Sequence, residues 1–156
     1  KNGMRGLKIR NLIEPIKEHI DKNKPFLGIC LGMQMMLSKS YEFGEISGLD
    51  IIDGEVVKIP QINNTGEAHK IPHIGWNKII YKEDKLMNGQ NSKSSMYFVH
   101  SYKAECKNEE SVLAHTLYND VKITAIIKSK NAYGCQFHPE KSGEYGLMLL
   151  NEFIQL

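Results

Sequence analysis

Apolar residues recur at three- and four-residue steps near the start of the chain: Ile9, Leu12, Ile13, Ile16 and Ile20. This spacing predicts a helix over residues 7–22, with a break near Pro15. A polar turn, "DKNK", follows. "PFLGI" is then a short, turn-bounded apolar run, as expected of a buried strand. "LGMQMMLS" predicts a second helix. Helix, strand and helix in that order point to an α/β sheet.

From Leu49 the period changes to that of strands. "IIDGEVVKIP" places an Asp-Gly pair between two β-rich runs and predicts a hairpin turn there. "QINNTGEAHK" predicts a polar loop. "NKIIYK", "MYFVHSYKAEC", "SVLAHTLY" and "VKITAIIKS" predict strands, with a hairpin-like turn at "YND". "AYGCQFH" predicts one more strand, ended by Pro139. "LMLLNEFIQL" predicts a closing helix. Neither a repeat nor a low-complexity linker divides the chain, so one domain over residues 1–156 is expected. The opening, "KNGMRGLKIRNLIEP", reads as a segment that packs against something.

Composition narrows the function. Hydrophobic residues make up 41% and charged residues 24% of the 156, an ordinary globular balance. A net charge of +2 gives no electrostatic case for nucleic acid or an anionic membrane. No apolar stretch approaches the roughly 20 residues that span a bilayer. The three cysteines, Cys30, Cys106 and Cys135, are widely spaced and odd in number, unlike a disulfide framework or a zinc site. A reducing, cytoplasmic setting and the absence of metal are therefore expected.

Cys30 stands in "GICLGMQ", where a predicted strand becomes a helix. G-x-C-x-G is the cysteine form of the nucleophile elbow, a sharp strand-to-helix turn that projects the side chain from the sheet edge. Gly28 and Gly32 are expected to relieve crowding at that turn. A helix N-terminus is expected to lower the thiol pKa. The Leu31 N–H is placed to meet a developing oxyanion. A nucleophilic cysteine needs a base, and the base an orienting group. "FHPE" supplies His138 and, two residues on, Glu140, with Pro139 stiffening the pair. The competing readings are a buried structural cysteine and a strand-end histidine beside a surface acid. His100, in "YFVHSY", either sits near the site or is a satisfied core histidine. His19, His69 and His115 fit the surface or loops. Cys135 and the cluster Met33, Met35 and Met36 fit the core. Trp76, in "PHIGWN", is either a core anchor or an interface residue.

Taken together, "GICLGMQ", "PHIGWN", "YFVHSY" and "GCQFHPEKS" resemble the class I, triad-type glutamine amidotransferases. Within them the order of blocks is similar to that of the glutaminase subunits of imidazole glycerol phosphate synthases. The resemblance implies a flavodoxin-like α/β fold and a triad of Cys30, His138 and Glu140. It implies hydrolysis of L-glutamine without a cofactor, with ammonia passed to a (β/α)₈-barrel cyclase in histidine biosynthesis. Leu31, Gln34, Glu42, Ser101 and Tyr102 fall at substrate-binding positions. His73, Trp76, Asn77 and Lys141 fall where the family meets its partner, the first three in a loop. Family members carry a strand–helix–strand portion ahead of "KNGMRGL", with a glycine-rich strand that donates to the oxyanion. The resemblance thus implies that this sequence lacks the first strands of the domain, and with them activity on its own.

Three other readings compete. One is a paralogous glutaminase feeding nucleotide-sugar amidation. Another is a truncated, non-catalytic regulatory copy. The last, a cysteine peptidase or γ-glutamyl hydrolase, leaves "PHIGWN" and "HPEKS" unexplained.

Overall fold

A computed structural model of the chain describes residues 2–156. Helix α1 runs from Asn2–Ile9 and α2 from Ile13–Asp21. The break falls at residues 10–12, not at Pro15. Asn11 adopts φ 55°, and the Leu12 N–H turns back to the Leu7 carbonyl at 2.9 Å, ending α1 in a left-handed cap. Pro15 is the third residue of α2, where its missing N–H has no intrahelical acceptor to lose.

Strand β1 (Phe26–Ile29) leads into α3 (Leu31–Met36) and directly into β2 (Leu37–Ser40). The helix is shorter than its apolar run suggests because a returning segment takes its last carbonyls. Leu49 N–H bonds the Met35 oxygen at 2.7 Å and Ile51 N–H the Met36 oxygen at 2.9 Å. Then follow β3 (Ile46–Ser47), β4 (Ile52–Lys58), β5 (His73–Lys78) and β6 (Ile80–Tyr81). Asp53-Gly54 makes no turn. Both lie inside β4, which pairs in parallel with β2 and antiparallel with the later β8 (Tyr102–Cys106). An Asp-Gly pair turns a hairpin only when its flanking runs pair with each other.

The remaining elements are β7 (Ser95–His100), β9 (Val112–Tyr118), β10 (Val121–Ser129), β11 (Ala132–Cys135) and α4 (Gly143–Ile154). The β9–β10 hairpin closes on Asn119 and Asp120, both at positive φ (45° and 65°), the geometry of a two-residue type I′ turn.

Five strands form one sheet in the order β1-β11-β10-β9-β6, with β1 and β11 parallel. A second sheet runs β3-β2-β4-β8, and β5 and β7 pair by themselves. Strand β10 is buried on both faces, which explains its near-continuous apolar run. Ile126 packs with Phe98, Phe137 and Leu149, while its neighbour Ile127 packs with Met33, Met36 and Val56. These two cores hold β1 and β11 side by side, so the chain segments that leave their C-terminal ends emerge together.

Candidate active site

Cys30 is the residue between β1 and α3, with φ 49° and ψ −102°. A non-glycine residue holds such a conformation only where its surroundings impose it. They do so here from three sides. The Cys30 N–H bonds the Cys135 carbonyl at 2.7 Å, continuing the β1–β11 pairing into the turn. The Cys30 carbonyl accepts from Gln34 N–H at 3.2 Å, opening the helix. Gly28 lets strand and helix meet: a Cβ there would lie 2.7 Å from the Gly32 carbonyl carbon and 2.8 Å from the Met33 nitrogen. Gly32 has no such need, since a Cβ on it would meet nothing within 4 Å. The elbow thus requires its first glycine and only the backbone of its second.

The thiol opens on a cleft of about 370 Å³. Leu31, Gln34, Glu42, Phe43, His100, Ser101 and Tyr102 line it with Cys30. All five positions expected to touch substrate are therefore in one cavity. Ser101 is the break between β7 and β8, and Glu42 lies between β2 and β3. Gln34 is buried. Its amide nitrogen donates to the Tyr102 carbonyl at 3.1 Å and to Gln136 Oε1 at 3.0 Å. Both its N–H groups are thereby used, so its carbonyl oxygen is what it has left to offer a ligand.

The Cys30 thiol is raised, not lowered as the helix N-terminus alone suggests. Burial is the largest cause. The Leu31 N–H and the Gln136 amide act downward, while Glu140 and Glu42 add to the rise. A six-residue helix supplies too little to reverse this. Burial also separates the other two thiols from function, pushing Cys106 to about 11 and Cys135 far up.

His138 follows β11, past Gln136 and Phe137, and its N–H bonds the Tyr97 carbonyl at 3.0 Å. Its ring Nδ1 lies 2.8 Å from Glu140 Oε1, so the pair forms across Pro139 as the His-x-Glu spacing suggests. The Cys30 sulfur is hydrogen-bonded to Gln136 Nε2 at 3.6 Å rather than to His138. Gln136 and Ser142 escaped the sequence reading. Gln136 is fully buried and ties Cys30 to Gln34. Ser142 Oγ accepts from Tyr97 N–H at 2.9 Å and donates to the His138 carbonyl at 2.6 Å, anchoring the turn that carries Glu140. A glutamine inside an apolar strand and a serine just past "HPEK" were the available signals.

"PHIGWN" is not a loop but strand β5, and this changes one expectation. His73 faces inward and is fully buried, its ring bonded to His100 and Asn77, so it presents nothing to a partner. Trp76, on the alternate face of the strand, is 57% exposed and is not a core anchor. Ile74, Ile80 and Leu117 are also exposed. Lys141 is exposed, and the Trp76 ring reaches to within 3.9 Å of where a Gly143 Cβ would stand. Among the described residues, no three His, Cys, Asp or Glu side chains converge as metal ligands would, and no helix is long and apolar enough to cross a membrane.

Known proteins resemble this chain in sequence and in fold. The profile of the family "Glutamine amidotransferase class-I" matches residues 1–156. The imidazole glycerol phosphate synthase subunit HisH 1 of Legionella pneumophila (strain Paris) is 51% identical over 162 aligned residues, covering all of this chain and 76% of the relative. The HisH subunit of Lactococcus lactis subsp. lactis is 46% identical, over 97% of this chain and 72% of its own. Among solved structures, PurLQS from Thermotoga maritima superposes with a TM-score of 0.66 at 16% identity, over 92% of this chain and 67% of that one. A glutamine amidotransferase from Thermotoga maritima gives 0.59 at 17% identity, over 94% of this chain and 54% of its own. The two structures bear on the fold alone, and both carry the same α/β layout. With the profile spanning the whole chain and relatives near half-identical, the chain belongs to the class I glutamine amidotransferases.

Proposed function

We propose that the chain is the glutaminase subunit of an imidazole glycerol phosphate synthase and that Cys30, His138 and Glu140 carry its chemistry. The observation that supports this best is the strained elbow at Cys30, held to β11, whose exit carries the paired His138 and Glu140. In this reading the Cys30 thiolate attacks the side-chain carbonyl carbon of glutamine, forming a C–S bond and an oxyanion that the Leu31 N–H meets. His138, as imidazolium, gives its proton to the leaving nitrogen, the C–N bond breaks, and ammonia departs. Water then adds to the γ-glutamyl thioester as His138 takes its proton, and the C–S bond breaks to free glutamate and the thiol. Glu140 holds the ring and offsets its positive charge.

Gln34 and Glu42 serve the amino-acid end of the substrate. Both offer acceptor oxygens to the cleft, which suits an ammonium group. Ser101 and Tyr102 line the same end. Ammonia is neutral and easily lost to water, so the site has value beside a consumer. The relatives are named as synthase subunits. A (β/α)₈-barrel cyclase is the partner this reading requires, and the face bearing Trp76 and Lys141 is its docking surface; Asn77, turned inward with His73, is not part of it. The protein then works in the cytoplasm. A glutamine analogue bearing a reactive diazo group tests the site, applied with the barrel protein and its nucleotide ligand present. Label on Cys30 and neither Cys106 nor Cys135 is expected. Labelling that persists in Cys30→Ser would overturn the assignment.

A further inference from the structure

His73 on β5 and His100 on β7 are register partners, and their rings meet with His73 Nδ1 2.9 Å from His100 Nε2. The outer nitrogen of each ring is fixed by an acceptor. His100 Nδ1 lies 2.7 Å from the Tyr102 carbonyl oxygen, which only accepts, so that nitrogen carries a proton. His73 Nε2 lies 2.9 Å from Asn77 Oδ1. The Asn77 amide is oriented by its own Nδ2, which donates to the Leu117 carbonyl at 2.9 Å. His73 Nε2 is therefore protonated as well. A neutral imidazole has one N–H. Two neutral rings would set lone pair against lone pair across a gap too short for water, between two buried side chains.

We propose that His73 and His100 hold three ring protons between them, a buried imidazole–imidazolium hydrogen bond that is a positioning element for the Cys30 thiol. Desolvation opposes the extra charge, pushing His73 below its ordinary value and His100 to about 4. The geometry favours it. With the third proton every ring nitrogen has a partner, and the His73 ring stacks on both Phe98, 4.9 Å away, and Tyr118, 4.1 Å away, whose faces attract a cation. The ionisable groups around the pair are few. His138, beyond β11, opposes a charge on His100. Tyr118, on β9, stacks on His73, with His69 stacked on it in turn. Across the cleft stand Cys30 and Glu42, whose negative charges a cationic His100 would favour.

From the pair the hydrogen bonds run on without a gap. The Tyr102 carbonyl that accepts from His100 also accepts from Gln34, Gln34 donates to Gln136, and Gln136 donates to the Cys30 sulfur. From Gln34 onward the donors point toward the sulfur. A charged pair sets a positive charge on the wall of the cleft that holds the thiol, and that charge favours the thiolate. The Cys30 half of the proposal rests on the glutaminase reading, in which that thiolate reacts; the proton count does not.

Long-range ¹H–¹⁵N spectra of the histidine rings in the intact chain near neutral pH count the protons directly. Three protonated nitrogens among the four are expected. Two would overturn the proposal, as would a reversed Asn77 amide donating to His73. Asn77→Asp keeps an acceptor at His73 Nε2, and retention of the third proton there is expected; its loss would count against the proposal. Peptide-resolved alkylation of Cys30 by iodoacetamide against pH reads the effect on the thiol. In His73→Phe, which keeps the stacked ring, the midpoint should rise by about half a unit or more. An unmoved midpoint in the folded variant would remove the positioning role. Should His73→Phe fail to fold, the proton count in the parent still decides. Alkylation needs no turnover, so this result stands apart from that of the glutamine-analogue label.

Discussion

Substituting alanine for the two glycines of the elbow, one at a time, separates steric need from motif symmetry. In Gly28→Ala the added methyl would stand 2.7 Å from the Gly32 carbonyl carbon, 2.8 Å from its oxygen and 2.8 Å from the Met33 nitrogen. All three are backbone atoms in the first turn of α3, so no side chain can swing aside. The helix must move off β1, or β1 off β11, and such overpacking costs about 1–3 kcal/mol. For a chain of this length that lowers Tm by roughly 2–12 °C. In Gly32→Ala the methyl meets nothing within 4 Å and Gly32 has ordinary helical backbone. Alanine there should gain up to about 1 kcal/mol by helix propensity and reduced freedom of the unfolded chain. Urea and thermal unfolding of both variants measure the signs. Because the movement falls within two residues of Cys30, Gly28→Ala should also change the rate of Cys30 alkylation. A Gly28→Ala protein as stable as the parent, or equal losses in the two variants, would refute the account of the elbow.

In the complex with a barrel partner, His138→Ala should lower glutaminase kcat by about 10³-fold or more, because both half-reactions move a proton through it. Glu140→Gln should cost less, since it orients the ring without exchanging protons; single-turnover kinetics compare the two, and parental turnover in His138→Ala would reject the role of that histidine. Glu42→Ala should raise KM for glutamine by about 10-fold while changing kcat little, and an unchanged KM would argue against a contact with the substrate ammonium. Asp84 gives a pH test of the fold. Burial acts upward on its carboxyl, but Lys128, the Leu86 N–H and the Tyr133 hydroxyl outweigh it and leave it below its ordinary value. Its contribution is thus present above the ordinary carboxylate range and lost as pH falls from that range down through its own, lower value, so Asp84→Asn should flatten the acid side of the stability–pH curve.

Much of the fold was legible because the physics that forms it is local. The apolar run of β10, the turn at Asn119 and Asp120 and the final helix follow from period and turn chemistry within a few residues. Three of the misreadings share one cause: a distant segment took hydrogen bonds that the local pattern assigned elsewhere. Residues 49–51 end α3 by taking its carbonyls, which no feature of "LGMQMMLS" announces. Asp53-Gly54 stays extended because β2 and β8 flank it. "PHIGWN", with a central glycine and an opening proline, has the composition of a loop. It becomes a strand because "SMYFVH" supplies a complete antiparallel partner from His73↔His100 to Lys78↔Ser95.

At the site, the same distinction separates what spacing reveals from what it hides. Cys30 with Gly28, and His138 with Glu140, are short-range relations, and each is visible in a handful of residues. The polar residues that connect them are not. Gln34 and Gln136 are 102 positions apart, and each alone is an unremarked glutamine in an apolar segment. They matter because β1 lies beside β11, which brings the start of α3 against the exit of β11 and leaves two buried amides with only each other, a sulfur and a carbonyl to satisfy them. His73 illustrates the same point from the other side. Its neighbours in sequence suggested a surface, since tryptophan and asparagine follow it closely. Strand alternation instead sends Ile74 and Trp76 outward and His73 and Asn77 inward. A buried polar residue must find a partner, and for His73 that partner is the register mate on β7, which in turn faces the cleft. The strand whose outer face exposes Trp76 therefore has, on its inner face, the first link of a hydrogen-bonded series that ends at the thiol.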